Sequence, residues 1–401
     1  MNSRIRTALV IGGGIAGPIA AMALQRAGIE ATVYEAYADT AEGKGGGMSI
    51  APNGQDALDT IGVGDVIRPL GVPMTGIVMQ DWAGRRLAEF GNPPGVPPMQ
   101  LVWRADLYGA LYAETERRGI RIEHDKRLVD AVETADGITA HFADGSQASA
   151  DILIGADGIR STVRTLIDPD APEPSYAGLI SFGARVTGTT TPSTRSKMNM
   201  SFGKQAFVGY QVFDDASATW FVNLPHPTAL SGAEAKKTPS EEWLKLLSSK
   251  FADDRTPARE LIDRTAPEDL IVVGSVENMP PRVPVWSRGR IVLVGDSAHA
   301  PSSSSGQGAS LSVESAVELA RCLRDLPYEE AFAAYEKLRR PRVERIIKET
   351  THKNSAKAAG PVGRVVFAMM MRVFDKLSKP EKMAWMFNYR IDWDAPVDPV
   401  S

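Results

Sequence analysis

The sequence predicts an α/β protein: a Rossmann-like dinucleotide-binding domain with a mostly antiparallel β-sheet inserted into it and a helical C-terminal segment. Three observations carry that prediction. A glycine signature, Gly12-x-Gly14-x-x-Gly17, lies between a strand-like run and a helix-like run. Residues 175–285 lose helical periodicity and alternate like strands. Residues 290–310 then return to the strand–turn–helix pattern of the start. With 401 residues the chain can hold two domains.

The first unit is the most specific. Leu9, Val10 and Ile11 form a short apolar run suited to a strand buried on both faces. Gly12 permits a tight turn, Gly14 lets backbone approach a pyrophosphate, and Gly17 lets the helix pack closely. Ile15 and Ala16 fall at the helix start, where free N–H groups and the positive end of the dipole meet that phosphate. The helix runs to about Ala27 and Gly28 stops it. Glu35, 18 residues after Gly17, ends the next strand. A carboxylate there accepts the hydroxyls of an adenosine ribose and repels a 2′-phosphate, which suits FAD or NAD rather than NADP.

Residues 36–54 are glycine-rich; Lys44 within them reads as a solvated lysine or a phosphate contact. A helix is expected over 53–68, ending near Gly62 or Gly64. Strand-like pieces follow at 76–81 and 86–90, then a proline-rich connector. Arg104 precedes a helix opened by Ala105 or Asp106 and running to Arg118; it is either a surface charge or a fixed cation near cofactor phosphate or sugar. Strands over 120–124, 128–133, 137–142 and 148–152 form a small meander turning at Asp144-Gly145. Leu128 points inward there, where an adenine or simply the core would meet it. A second strand–turn–helix unit carries Asp157-Gly158, with Ser161 as cap.

The insert reads as strands at 179–187, 197–202, 206–213 and 219–224, with one helix at 240–251; such an insert covers a ligand pocket. Strand 291–294 then delivers Gly295 and Asp296 to its carboxyl end, where open α/β sheets bind ligands. A Ser/Gly loop and a helix over 311–323 follow. Residues 329–358 read as a charged helix or helix pair. Residues 361–377 place Val365, Val366, Met369, Met370, Val373 and Phe374 on one helical face, clamped on the core or lining a substrate entrance.

Composition excludes several classes. The chain is 43% hydrophobic and 23% charged, with a net charge of −4, so nothing points to nucleic acid or an anionic membrane. Cys322 is the only cysteine, which rules out a disulfide framework and a Cys-x-x-Cys redox pair. No apolar run reaches the roughly 18 residues of a membrane span, and no leader is evident, so a cytoplasmic protein is expected. The five histidines have no ligand spacing, and His299 reads as structural; no metal site is expected.

Taken in order, Gly12-x-Gly14-x-x-Gly17 with Glu35, Asp157-Gly158 and Gly295-Asp296 resemble class A FAD-dependent aromatic monooxygenases, the group of para-hydroxybenzoate hydroxylase, salicylate hydroxylases and tetracycline-degrading hydroxylases. The resemblance runs over nearly the whole chain. It implies an FAD-binding domain of the glutathione-reductase type formed by 1–74, 100–174 and 286–360, a substrate domain formed by 75–99 and 175–285, and a C-terminal helical segment, 361–401. By position it places the FAD pyrophosphate on Gly12, Gly14, Ile15, Ala16 and Gly17, and the ribose on Glu35. Arg104 and Leu128 would contact FAD, and Asp157 matches the motif linked to both FAD and NAD(P)H. Asp296 would hold the ribityl chain, with Gly306, Gly308 and Ala309 against the flavin ring. Two positions depart from many relatives: Ser303 stands near a usual proline, and Ser310 where asparagine is common.

The activity implied is NAD(P)H- and O2-dependent hydroxylation of an aromatic or polyketide-like small molecule through a flavin C4a-hydroperoxide, with no catalytic side chain singled out. Epoxidation, Baeyer–Villiger insertion, halogenation and flavin-dependent reduction are the alternatives within the same fold. The partner expected is the small substrate alone, with the protein a monomer or homodimer.

Overall fold

The computed structural model describes residues 5–39, 46–301, 305–357 and 383–399. Lys44, Ser303 and the expected helix over 361–377 lie outside the described residues.

The central sheet has six strands in the order Ser287–Arg288, Ile291–Leu293, Ile152–Gly155, Thr7–Ile11, Glu30–Tyr34, Arg121–Glu123. All neighbours are parallel except the edge pair 287–288 and 291–293. Val10 sits between Ile154 and Val33, all fully buried, because helices cover both faces. Helix Ala16–Arg26 follows the first strand, and helix Gly308–Asp325 packs against it with Ala309, Leu311, Val313, Ala316 and Ala320 buried.

Register decides what this sheet can do. Ile11 lies opposite Gly155 and Tyr34, and Gly155 lies opposite Leu293. Four strands therefore end in line. The residues that follow them, Gly12, Glu35, Ala156-Asp157 and Gly295-Asp296, emerge at one edge although they are spread over almost 300 positions of sequence.

A seven-stranded sheet runs Ile271–Asn278, Ser175–Val186, Ala218–Pro225, Phe207–Val212, Lys197–Phe202, Gly76–Asp81, Arg86–Gly91. It is antiparallel except where 197–202 pairs in parallel with 76–81. Strand alternation sends Phe182, Val208, Trp220 and Val222 to one face, where Trp243, Leu247 and Phe251 cover them. The other face presents Met198, Met200 and Phe221, packed with Met74, Met99 and Leu101. Met74, Met99 and Leu101 belong to a three-stranded sheet, Gly47–Ile50, Met99–Trp103 and Val72–Met74, which packs through them against that face.

Several sequence expectations are corrected. The glycine-rich stretch contains strand 47–50, whose pairing partner is fifty residues away and invisible locally. The helix expected over 53–68 is two helices, Pro52–Thr60 and Gly64–Ile67, because Gly62 adopts φ +68° between them. Arg104 is the first residue of its helix, Arg104–Arg117, rather than the residue before it; Trp103 is the extended cap. The meander strand expected at 148–152 is Gln147–Ala150; it stops before Asp151, whose carboxylate accepts from the Arg6 and Thr7 N–H groups, and the apolar strand that ends in Gly155 begins at Ile152. Residues 328–357 form one helix, and among the described residues 383–399 there is a short helix at Ala384–Phe387.

Candidate active site at the carboxyl ends of the parallel strands

The glycine turn is shaped by two close approaches. Gly12 has φ +106°, and a Cβ there would stand 2.5 Å from the Ala156 oxygen. A Cβ on Gly17 would stand 1.8 Å from the Gly12 oxygen. Above Gly14 the nearest atom to such a Cβ is the Tyr108 hydroxyl at 3.9 Å, so backbone there faces free room. Helix Ala16–Arg26 begins after Ile15 with no side-chain cap and no acid in its first turn. Its leading N–H groups are left for an anion.

Glu35 accepts from the Gly13 N–H at 2.6 Å and the Tyr37 N–H at 3.0 Å. One bond on each oxygen leaves acceptor capacity for ribose hydroxyls. Tyr112 lies under this turn, its hydroxyl titrating above the usual range because of burial and the charge of Glu35. Leu128 is buried in the main core opposite Phe142, whose ring stacks on Tyr34 at 4.9 Å.

The two later acids differ. Asp157 is bonded on both oxygens: Ser161 and Ser297 hydroxyls donate to Oδ1, and the Val163 N–H donates to Oδ2 at 3.1 Å. Ser297 also accepts from the Gly158 N–H, and Arg164 donates to the Ser297 carbonyl at 3.1 Å. Asp157 thus ties its own turn to the one that carries Asp296. Among the described residues Asp296 has no hydrogen-bond partner, and burial pushes its carboxyl up to about 6, against the opposing pull of nearby Arg104. The Arg104 Nε is buried without a partner, and its guanidinium lies 5.5 Å from the Tyr108 ring centre.

The Gly306–Ala309 loop closes the site. Gly306 has φ +63°, and a Cβ on it would meet Ser49 Oγ at 3.1 Å and Met99 at 3.4 Å. Ser49 donates to the Gly306 carbonyl at 3.2 Å. The helix that starts at Gly308 has no side-chain cap and no acid in its first turn. Gly295 at φ +60° packs between Ala16 and Ser312, so the Gly12–Gly17 turn with its helix, the Asp296 turn and this helix meet. The Ser310 hydroxyl accepts from the Ala51 N–H at 2.9 Å. His299 is buried, its Nε2 2.8 Å from Ser315 Oγ; burial and Arg339 push it down to about 3, so it is neutral and structural.

Sequence reasoning missed Tyr108, Tyr112, Ser49, Asn53, Gln307 and Ser297. The tyrosines could have been found, since Arg104, Tyr108 and Tyr112 repeat every four residues on one helix face.

An open backbone over Gly14, two uncapped helix starts, a ribose-ready acid, an unpartnered guanidinium nitrogen and an unpartnered carboxylate fit a long dinucleotide with a diphosphate and a polyol. Those features on this fold define an FAD-dependent oxidoreductase. The chain belongs to the family described as FAD binding domain, which it matches over residues 6–350. It is 30% identical to the FAD-dependent urate hydroxylase of Klebsiella pneumoniae over 325 residues, covering 79% of this chain and 81% of that protein. It is 27% identical to the 3-hydroxybenzoate 6-hydroxylase of Klebsiella oxytoca, covering 97% of this chain and 98% of that one. The solved structure of Klebsiella pneumoniae HpxO complexed with FAD and uric acid superposes with a TM-score of 0.82 at 25% identity, over 95% of this chain and 96% of that one. The protein is an FAD-dependent monooxygenase of the aromatic-hydroxylase group. No helix among the described residues is long and apolar enough to cross a membrane.

Proposed function

We propose that this monooxygenase hydroxylates a planar, oxygen-substituted aromatic ring held between the seven-stranded sheet and the Gly306–Ala309 loop, with NADH or NADPH as the electron donor. The observation that carries the reading is the apolar cluster of Met74, Met99, Leu101 and Met198 with Met200 and Phe221. Met99 ties it to the loop, because it lies 3.4 Å from where a Gly306 Cβ would be. Methionines and a phenylalanine give a dry, adaptable wall for a flat ring. The relatives named for urate, 3-hydroxybenzoate and 6-hydroxynicotinate act on such rings.

Bound FAD supplies the hydride acceptance and oxygen activation that no side chain here provides. In this reading, the Gly12–Gly17 turn and the uncapped helix at Ala16 hold the pyrophosphate. Glu35 accepts from the ribose, Asp296 from the ribityl hydroxyls, and Arg104 donates from the facing helix. The Asp157–Ser297–Arg164 brace holds the Asp296 turn in place. The methionine cluster excludes water from the ring face. The cytoplasm and a monomeric or homodimeric state complete the proposal.

The test is to reconstitute the protein with FAD and screen phenols and hydroxylated N-heterocycles for stimulated NAD(P)H oxidation. A product carrying one oxygen from 18O2 supports hydroxylation. Oxidation that yields only hydrogen peroxide with every compound argues against it.

A further inference from the structure

We infer that Asn53, gripped by buried Glu314, positions the flavin-ring loop and thereby sets FAD affinity and flavin reduction potential. The inference rests on the reading that Gly306–Ala309 lies against the flavin ring. Gln307 sits in the middle of that loop, fully buried, and its Oε1 accepts from Asn53 Nδ2 at 3.0 Å. The same Asn53 amide donates to Glu314 Oε1 at 2.5 Å. Asn53 is 1% exposed and Glu314 0%. A single amide therefore spans from helix Pro52–Thr60 to the loop and to the long helix behind it.

Glu314 is an unusual anchor. It is paired with Arg339 at 2.5 Å and with Arg342 through both oxygens at 2.9 Å. Arg342 in turn donates to the Trp385 and Met386 carbonyls, and its guanidinium lies 4.4 Å from the Tyr389 ring centre. Replacing such an assembly by apolar packing often costs nothing in stability, so a buried charge cluster needs a reason other than stability. Here the geometry offers one. The cluster fixes Glu314, Glu314 fixes Asn53, and Asn53 fixes a loop whose residue 306 is already confined to φ +63° between Ser49 and Met99. The side chain that Gln307 commits to Asn53 leaves its Nε2 buried without a partner among the described residues. That donor belongs to the loop and is available to a bound group, so shifting Gln307 moves both backbone and donor.

Asn53 is a positioning residue in this account, since it acts through Gln307. The experiment compares four proteins reconstituted with FAD: wild type, Asn53→Ala, Gln307→Met and the double variant. FAD dissociation constants come from flavin fluorescence and midpoint potentials from spectroscopic titration. Losing a hydrogen bond of this kind predicts roughly tenfold weaker FAD binding and a shifted potential in each single variant. The double variant should be no worse than either single one, because both break one link.

Two further variants sharpen the result. Glu114→Gln removes a buried carboxylate that binds Arg117 and Arg118 on the far end of its helix. It should lower thermal stability and leave FAD affinity and potential at wild-type values. Gly306→Ala strains the loop directly and should shift the potential. If Gly306→Ala shifts it while Asn53→Ala and Gln307→Met do not, the loop meets the flavin but Asn53 does not set it, and the inference falls. If all three are silent, the placement of the loop falls with it. Additive losses in the double variant, or an equal loss of FAD affinity in Glu114→Gln, also overturn the inference. Should Asn53→Ala fail to fold, Gln307→Met carries the same comparison against wild type.

Discussion

Two turns leave neighbouring parallel strands of the central sheet, and each presents an aspartate. After strand 152–155 comes Asp157, whose oxygens are consumed by Ser161, Val163 and Ser297. After strand 291–293 comes Asp296, whose carboxylate has no bonded partner among the described residues and is pushed up to about 6 by burial. Gly155 and Leu293 are in register, and the acids follow them by two and three residues, so both emerge at the same edge of the sheet. The difference teaches that one of two look-alike turns is a brace and the other is held ready. Through Ser297, the brace at Asp157 holds the turn that carries Asp296. A stable protein that, among the described residues, leaves the Asp296 carboxyl and the buried Arg104 Nε unmatched marks where a polar ligand belongs.

The comparison can be broken most severely at the glycine turn that both regions flank. Gly17→Val puts side-chain atoms where a Cβ alone lies 1.8 Å from the Gly12 oxygen. It should cost at least about 4 kcal/mol and abolish FAD retention, measured by chemical denaturation and by flavin content after gel filtration. Next comes the brace. Asp157→Ala strands the Ser161 and Ser297 hydroxyls and the Val163 N–H, and should destabilise the apoprotein by about 3 kcal/mol.

The pH profile separates the two acids further. The folded-state value of Asp296 lies near 6, above the roughly 3.9 of an unfolded aspartate. The folded protein therefore holds more protons between these values. The penalty is absent below about pH 4 and grows as pH rises through about 6, reaching roughly 2–3 kcal/mol. Wild-type apoprotein should accordingly lose stability relative to Asp296→Asn across that window. Thermal melts of both proteins at pH steps from 4 to 7 check this; parallel curves would mean that the acid is well solvated. Asp157 is also raised by burial, so a residual slope of the same sign should survive in Asp296→Asn. The smallest expected effect is at Arg104→Gln, about tenfold in FAD affinity with the fold intact, read by fluorescence titration.

The strand–turn–helix units were legible in the sequence because strands buried on both faces must be apolar runs and their turns need glycine. The insert was legible from strand alternation, and three of its strands, 197–202, 207–212 and 218–225, fall within a residue or two of expectation. What could not be read was which aspartate is open. Both follow an apolar strand and a glycine-containing turn, and only the partners that close on Asp157, one of them 140 residues away, distinguish them. Asn53 and Gln307 were missed for the same reason, being 254 residues apart in sequence. Strand 47–50 was masked by its glycines, since its pairing with 99–103 supplies the order that its local sequence lacks.

The most direct test of the open-acid account is a paired measurement on Asp296→Asn at pH 7: apoprotein stability by chemical denaturation and FAD affinity by titration. The account predicts opposite signs, with the apoprotein more stable than wild type and FAD bound roughly tenfold more weakly, because a charge-assisted acceptor is replaced by a neutral one. A variant that is less stable without FAD yet binds FAD as tightly as wild type would contradict it, and would make Asp296 a second brace.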